Sequence, residues 1–175
     1  MTGSRKMQCP SCKSTLSTIQ YEGIQIESCD ACQGEWLDAG ELKHIVQVRE
    51  TRFDEQERRA VAAAVKITGV DVEQADRDLV CPKCIDRTNA INYGGDTGIV
   101  IDKCQGCGGV WLDGGEMENI QKVVEGWEDG LPADLKQYGA RLRQVADDVK
   151  EGGKVKISRI GFVNSIINGI LDIGT

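Results

Sequence analysis

The sequence predicts a small α+β protein made of two similar halves, followed by a helical segment at the C-terminal end. Each half is a β-hairpin held between two cysteine pairs and followed by a helix. Three observations predict this fold class. All eight cysteines fall in two copies of one motif, alternating apolar residues lie between the pairs, and helix-forming sequence follows each copy. With 175 residues and 5% aromatics, neither half can bury a large apolar core.

Each copy of the motif has a C-P-x-C pair, a C-x-x-C pair, and then x-G-x-W-L-D-x-G-E. The pairs are separated by 16 residues in the first copy and by 19 in the second. This spacing is typical of tetrahedral zinc sites with four thiolate ligands, so we predict two zinc ribbons and two structural zinc ions per chain. The candidate ligands are Cys9, Cys12, Cys29 and Cys32 in the first copy, and Cys81, Cys84, Cys104 and Cys107 in the second.

Residues beside the cysteines support this interpretation. Two cysteines three residues apart in a tight turn can direct both sulfur atoms at one ion about 2.3 Å away. Pro10 and Pro82 restrict the backbone in these turns. Gly34 and Gly109, which follow the second pairs, permit a left-handed turn or the close approach of another backbone.

Disulfides, iron–sulfur clusters and redox dithiols are the alternative uses of eight cysteines. Residues 1–13 contain no apolar stretch of the kind found in a secretory signal, so we expect a cytoplasmic protein. A reducing compartment favours metal-bound thiolates over disulfides. The layout of pair, hairpin and pair favours zinc over the other two.

The charge of the chain narrows the choice of partner. The formal net charge is −7 with neutral cysteines. Each four-thiolate zinc site carries −4 + 2 = −2, so two sites bring the total to about −11. Phosphate binding needs a positive field, and direct nucleic-acid binding is therefore disfavoured. No apolar stretch approaches the roughly 20 residues of a transmembrane segment.

The elements follow from local patterns. Strands are predicted at residues 16–20, 24–28, 89–93 and 99–103, where apolar and polar residues alternate. Helices are predicted at residues 39–66, at 114–128, and from Pro132 onward. The apolar tail, residues 160–173, is expected to pack on the third helix or on another subunit, so self-association through the C-terminal helices is one interpretation.

Two acidic residues begin each of the first two helices. Asp38 and Glu41, like Asp113 and Glu116, have the spacing of a capping box. We therefore expect each aspartate side chain to accept a helix N–H group and not to act in catalysis.

The cysteine pairs together with W-L-D-x-G-E resemble the transcription factor IIB-type zinc-ribbon domain found in many bacterial proteins. The similarity covers residues 9–42 and 81–117, which is less than half of the chain. It implies zinc on the eight cysteines and implies little about activity.

The tryptophan of each motif has two interpretations. An exposed Trp36 or Trp111 would be a platform for base stacking or an anchor in an interface. Because aromatic residues are scarce, we expect instead that each ring covers its own zinc site and fixes ribbon to helix. His44 is the only histidine, and we expect an ordinary helix residue there, since each site already has four thiolates.

We divide the chain into a first ribbon with its long helix (1–67), a linker (68–80), a second ribbon with its helix (81–129), and a C-terminal helical segment (130–175). The linker contains one short helical turn and suggests weak coupling between the ribbons.

The sequence contains no nucleophile–base pair, phosphate loop or dinucleotide fingerprint, so we do not expect an enzyme. The predicted function is that of a zinc-binding adaptor that acts through protein–protein contacts, with a protein partner that the sequence does not name. A link to transcription machinery rests on the resemblance alone. Direct nucleic-acid binding is one alternative, and a redox-responsive or chaperone-like zinc protein is the other.

Overall fold

A computed structural model of the protein describes residues 7–47, 52–63 and 69–129. The chain forms two compact units, Met1–Glu125 and Gly126–Thr175. Both ribbons belong to the first unit, while the described part of the second is residues 126–129. The predicted third helix and the apolar tail lie outside the described residues.

Six strands form one antiparallel sheet. They are β1 Ser17–Tyr21, β2 Ile24–Ser28, β3 Glu35–Leu37, β4 Thr88–Asn92, β5 Val100–Cys104 and β6 Val110–Leu112. Their order is β1-β2-β3-β6-β5-β4, so each ribbon contributes three adjacent strands. The four predicted hairpin strands are confirmed to within one residue. Strands β3 and β6, formed by the W-L segments of the motif, were not predicted.

The two ribbons meet where β3 pairs with β6. Trp36 lies opposite Trp111, and the register is symmetric around this pair. The ribbons are therefore related by an approximate two-fold axis that passes between the two tryptophans. We expected weak coupling between the ribbons, but the continuous sheet joins them. The four-part division of the chain stays a prediction.

One hydrophobic core contains residues of both ribbons. Trp36 and Trp111 are fully buried at its centre. A buried tryptophan removes about 150–250 Å² from water, which makes this pair a large share of a core with few aromatic residues. The core cluster consists of Cys9, Leu16, Cys29, Trp36, Leu79, Cys81, Cys104 and Trp111.

Four α-helices accompany the sheet in the described part of the chain, besides a 3-10 helix at Tyr93–Gly95. They are α1 Glu41–Gln47, α2 Glu55–Ala63, α3 Val72–Ala75 and α4, residues 116–129. The short turn predicted between the ribbons is present as α3, where Asp71 caps the helix by accepting the Glu73 N–H group at 2.9 Å. Within the described ranges, no helix combines the length and the apolar character needed to cross a membrane.

The prediction of one unbroken helix over residues 39–66 is wrong. Residues 52–54 are not helical, and Asp54 starts α2 by accepting the Gln56 N–H group at 2.6 Å. The Phe53 N–H group donates to the buried carboxylate of Glu125 at 3.0 Å. These two residues are 72 positions apart in the sequence. Tertiary structure therefore overrides the local helix propensity at this position.

Candidate metal centres

The structure brings the eight predicted cysteines together in two groups of four. Within each group, the four sulfur atoms lie within 4.8 Å of one another. The closest sulfur–sulfur distances are 3.6 Å for Cys9–Cys32, 3.4 Å for Cys12–Cys29, 3.7 Å for Cys81–Cys107 and 3.4 Å for Cys84–Cys104.

These distances fit zinc. Four sulfur atoms placed tetrahedrally at 2.3 Å from one ion lie about 3.8 Å from each other. A disulfide would need about 2.05 Å, and all eight cysteines are free. The two groups therefore fit two zinc ions, as the sequence predicts. Four thiolates complete a tetrahedral shell, which is the arrangement of structural zinc sites.

Backbone hydrogen bonds shape each C-P-x-C turn in the same way. The N–H groups of Cys12 and Cys84 each donate at 3.3 Å to the sulfur of the first cysteine in the pair. Such bonds stabilise negative charge on sulfur. The residue after each pair has a left-handed conformation, with φ of 65° at Lys13 and 68° at Ile85. Both turns are closed by the N–H group of that residue, which donates to the carbonyl of the first cysteine.

Burial also follows the repeat. In each group the first and third cysteines are buried, the second is exposed, and the fourth is intermediate. Burial raises the pKa of Cys32 and of Cys81 to about 12. Hydrogen bonds from Ser14 lower the pKa of the exposed Cys12 to about 6. Because zinc binds thiolates, metal binding must displace protons from Cys32 and Cys81, and it couples to folding.

Each tryptophan lies against the other copy of the motif. A Cβ atom added to Gly34 would overlap the ring of Trp111, and one added to Gly109 would overlap the ring of Trp36. The expectation that each ring covers its own zinc site is therefore wrong, because the β3–β6 pairing carries each ring across the two-fold axis. The close approach predicted at both glycines is confirmed.

The helix starts differ in part from the predicted capping boxes. The Glu41 carboxylate accepts the Asp38 N–H group at 2.7 Å, and the Glu116 carboxylate accepts the Asp113 N–H group at 2.8 Å. This half of the capping box is present in both copies. The aspartate side chains bind cations instead of the helix N–H groups that we expected.

The cations come from two different places. Lys83, in the C-P-x-C turn of the second copy, forms an ion pair with Asp38 of the first. Arg77, which precedes the second ribbon, donates two hydrogen bonds to Asp113, at 2.6 and 3.1 Å, and lies 3.7 Å from the buried Asp102. Sequence reasoning missed both contacts, since nothing local to either residue indicates its partner.

The carboxyl groups around Arg77 have shifted pKa values. Burial raises the pKa of Asp102, and Arg77 offsets part of that shift. Burial also acts to raise the pKa of Asp113, but Arg77 and the Trp111 Nε1–H group outweigh it, so this pKa is lowered. For Glu116, burial is the main cause of a pKa raised to about 7. Through Arg77, these ionic contacts hold the linker against the second ribbon.

Comparison with protein families agrees with the geometry. The family described as transcription factor zinc-finger matches residues 8–48 and 80–122. The chain carries two tandem transcription factor IIB-type zinc ribbons. Both matches include a full cysteine group and the helix start after it, so the resemblance drawn from the sequence is confirmed. Neither a curated protein nor a solved structure matches the chain. His44 lies exposed on α1 and outside both cysteine groups.

Proposed function

We propose that this protein is a non-enzymatic zinc-binding adaptor that contacts a protein partner through the groove between its two C-P-x-C turns. The groove has a volume of about 550 Å³ and is lined by both ribbons, including Pro10, Val80, Pro82 and Ile85. Since four thiolates would complete each metal shell, zinc has a structural role here, and the functional surface lies elsewhere.

The conformation of Ile85 is the observation that carries this proposal. Its side chain is 64% exposed, and its φ of 68° is in the left-handed region. That conformation costs an L-residue about 1–2 kcal/mol, and the cost is least tolerated by β-branched residues. The equivalent residue of the first ribbon is Lys13, which is unbranched at Cβ. An exposed, strained isoleucine that the fold does not need supports a contact outside the chain.

Charge and burial favour a protein over nucleic acid as the partner. The chain has a formal net charge of −7, and two zinc–thiolate sites would add −4. Both lysines at the groove are engaged, since Lys13 Nζ donates to the Pro10 carbonyl at 2.6 Å and Lys83 pairs with Asp38. The tryptophans of both motifs are buried and offer no ring to a base. A link to transcription machinery rests on the family name alone.

The experiment combines affinity capture with a stability measurement on the same variants. Asparagine tolerates the left-handed region, so Ile85→Asn should raise the free energy of unfolding by up to about 1 kcal/mol. The same change should abolish capture of the partner from native lysate. Ile91→Asn is the matched control, because Ile91 is 39% exposed on β4 and does not line the groove.

Loss of capture together with gain of stability separates a contact residue from a structural one. Capture that persists in Ile85→Asn would contradict the proposed groove, and loss of capture only after deletion of residues 160–173 would move the contact to the tail. Capture that disappears on nuclease treatment, with a gel shift at low salt, would favour direct nucleic-acid binding.

A further inference from the structure

We propose that the two zinc sites are unequal, and that the second site releases its metal first by opening at Cys84. This inference goes beyond the adaptor function and concerns the residues that follow the exposed cysteine of each C-P-x-C turn. Cys12 is followed by K-S, whereas Cys84 is followed by I-D. The second turn therefore places an acidic residue, Asp86, where the first has the neutral Ser14.

The carboxylate of Asp86 lies against the metal group. Its Oδ2 atom is 3.7 Å from the sulfur of Cys84. A Cβ atom added to Gly106 would overlap this carboxylate, so the missing side chain at Gly106 leaves room for it over the C-x-x-C turn. Among the described residues, no other carboxylate oxygen lies within hydrogen-bond distance of a cysteine sulfur. Asp30, in the corresponding turn of the first ribbon, faces Ser17 Oγ at 3.5 Å.

The physical consequence is repulsion between like charges. Zinc needs Cys84 as a thiolate, and a site of four thiolates and one zinc carries −2. Taken as one pair of unit charges about 4 Å apart, the Asp86 carboxylate and the Cys84 thiolate repel each other enough to disfavour the metal-bound thiolate by about fivefold, even in the dielectric of bulk water. In the first ribbon, Ser14 stands at this position and places no negative charge beside Cys12. The repeat thus places a carboxylate beside one exposed cysteine and a neutral hydroxyl side chain beside the other.

Solvent access does not account for this difference. Cys12 and Cys84 are both exposed, and they occupy the same position in their groups. The first ribbon is therefore an internal control for the second within one molecule.

The test is site-resolved alkylation of the full chain loaded with two equivalents of zinc. N-ethylmaleimide is added in limiting amounts at fixed neutral pH, zinc release is followed with a chromogenic chelator, and the labelled cysteines are identified by peptide mass spectrometry. We expect Cys84 to react about fivefold faster than Cys12. Competition with a chelator in place of the electrophile should remove metal from the second site first, which measures affinity independently of nucleophilicity.

Exchanging the two residues provides the decisive comparison. Asp86→Ser should slow the reaction at Cys84 to the rate of Cys12, and Ser14→Asp should accelerate Cys12. Asp86→Asn, which keeps the size and removes the charge, replaces Asp86→Ser if that variant fails to bind two zinc ions. Equal rates in the wild-type protein, or an order that the exchange leaves unchanged, would overturn the proposal.

Discussion

In the first ribbon, the aspartate that precedes the helix forms an ion pair with Lys83, and both side chains are about half exposed. In the second, the equivalent Asp113 accepts hydrogen bonds from Arg77 and, at 3.0 Å, from Trp111 Nε1. The first tryptophan has no such bond, and within the described residues Trp36 Nε1 is without a hydrogen-bond partner. The two ribbons have similar backbone structures, but different side-chain contacts stabilise the turn before the helix in each.

The comparison separates the features that the sequence repeat determines from those that it leaves open. The metal groups, the turns and the Glu-to-backbone hydrogen bonds are the same in both ribbons, because their partners lie within the motif. The cations differ because neither of them lies in the copy of the motif that contains its aspartate partner. Arg77 precedes the second ribbon, and Lys83 reaches across the two-fold axis to Asp38.

Removing one metal ligand is the largest perturbation and tests whether the ribbons are one unit. Cys29→Ser should destabilise the first ribbon, and the second should lose amide protection with it because they share a sheet and a core. Hydrogen exchange measures this, and metal analysis should fall from two equivalents per chain. Cys104→Ser is the reciprocal variant, and a second ribbon that keeps its protection in Cys29→Ser would support the weak coupling that the linker sequence suggests.

The two cations should differ strongly in their contribution to stability. Arg77→Met leaves the side chain of Asp102, which is 3% exposed, without its nearby positive charge, and should lower the free energy of unfolding by about 3 kcal/mol. Lys83→Met breaks an exposed pair and should cost at most about 1 kcal/mol. Chemical denaturation of the zinc-loaded variants measures both changes. Similar losses would show that Asp102 does not depend on Arg77.

The helix-start glutamate of the second ribbon should make stability depend on pH. The pKa of Glu116 is raised from 4.5 to about 7, so the folded state keeps a proton that the unfolded state releases. The stability from this group is complete below pH 4.5 and is lost as the pH rises through 7. Glu116→Gln should remove this loss, worth about 2 kcal/mol by pH 8.5 after allowance for partial exposure.

The loss accumulates between pH 4.5 and 7, so denaturation of wild type and Glu116→Gln side by side between pH 5 and 8 tests this expectation. Glu41→Gln makes the same change at the equivalent hydrogen bond of the first ribbon and is the control. Parallel pH profiles for wild type and Glu116→Gln would contradict it.

The smallest expected effect separates the two tryptophans. Trp111→Phe removes the hydrogen bond to Asp113 and should cost about 1 kcal/mol more than Trp36→Phe, which removes an indole N–H group without a partner among the described residues. Both variants leave similar space in the core, so the difference between them isolates the hydrogen bond. Thermal denaturation measures it, and equal losses would mean that packing alone sets the contribution of both rings.

Much of the fold and of both metal groups could be predicted from the sequence, because the signals are local. Strand β2 follows from the alternation of Ile24 and Ile26 with polar residues, and the cysteine groups follow from spacing alone. Strands β3 and β6 have three residues each, which is too short for periodicity to reveal. The break in the first helix depends on Glu125, and no local pattern around Phe53 indicates that contact.

The exchange of tryptophans across β3 and β6 makes this chain a tethered dimer. The tryptophan ring of each ribbon packs against a glycine of the other ribbon, where any larger residue would overlap the ring. The same surface is thus used on both sides, as in the isologous interface of a symmetric dimer. A fragment with a single ribbon would expose both the ring and the glycine, and it should self-associate in a concentration-dependent way to rebuild the pair. Joining the two ribbons in one chain replaces that dependence with a fixed effective concentration. The pairing then persists at the lowest concentrations of the protein.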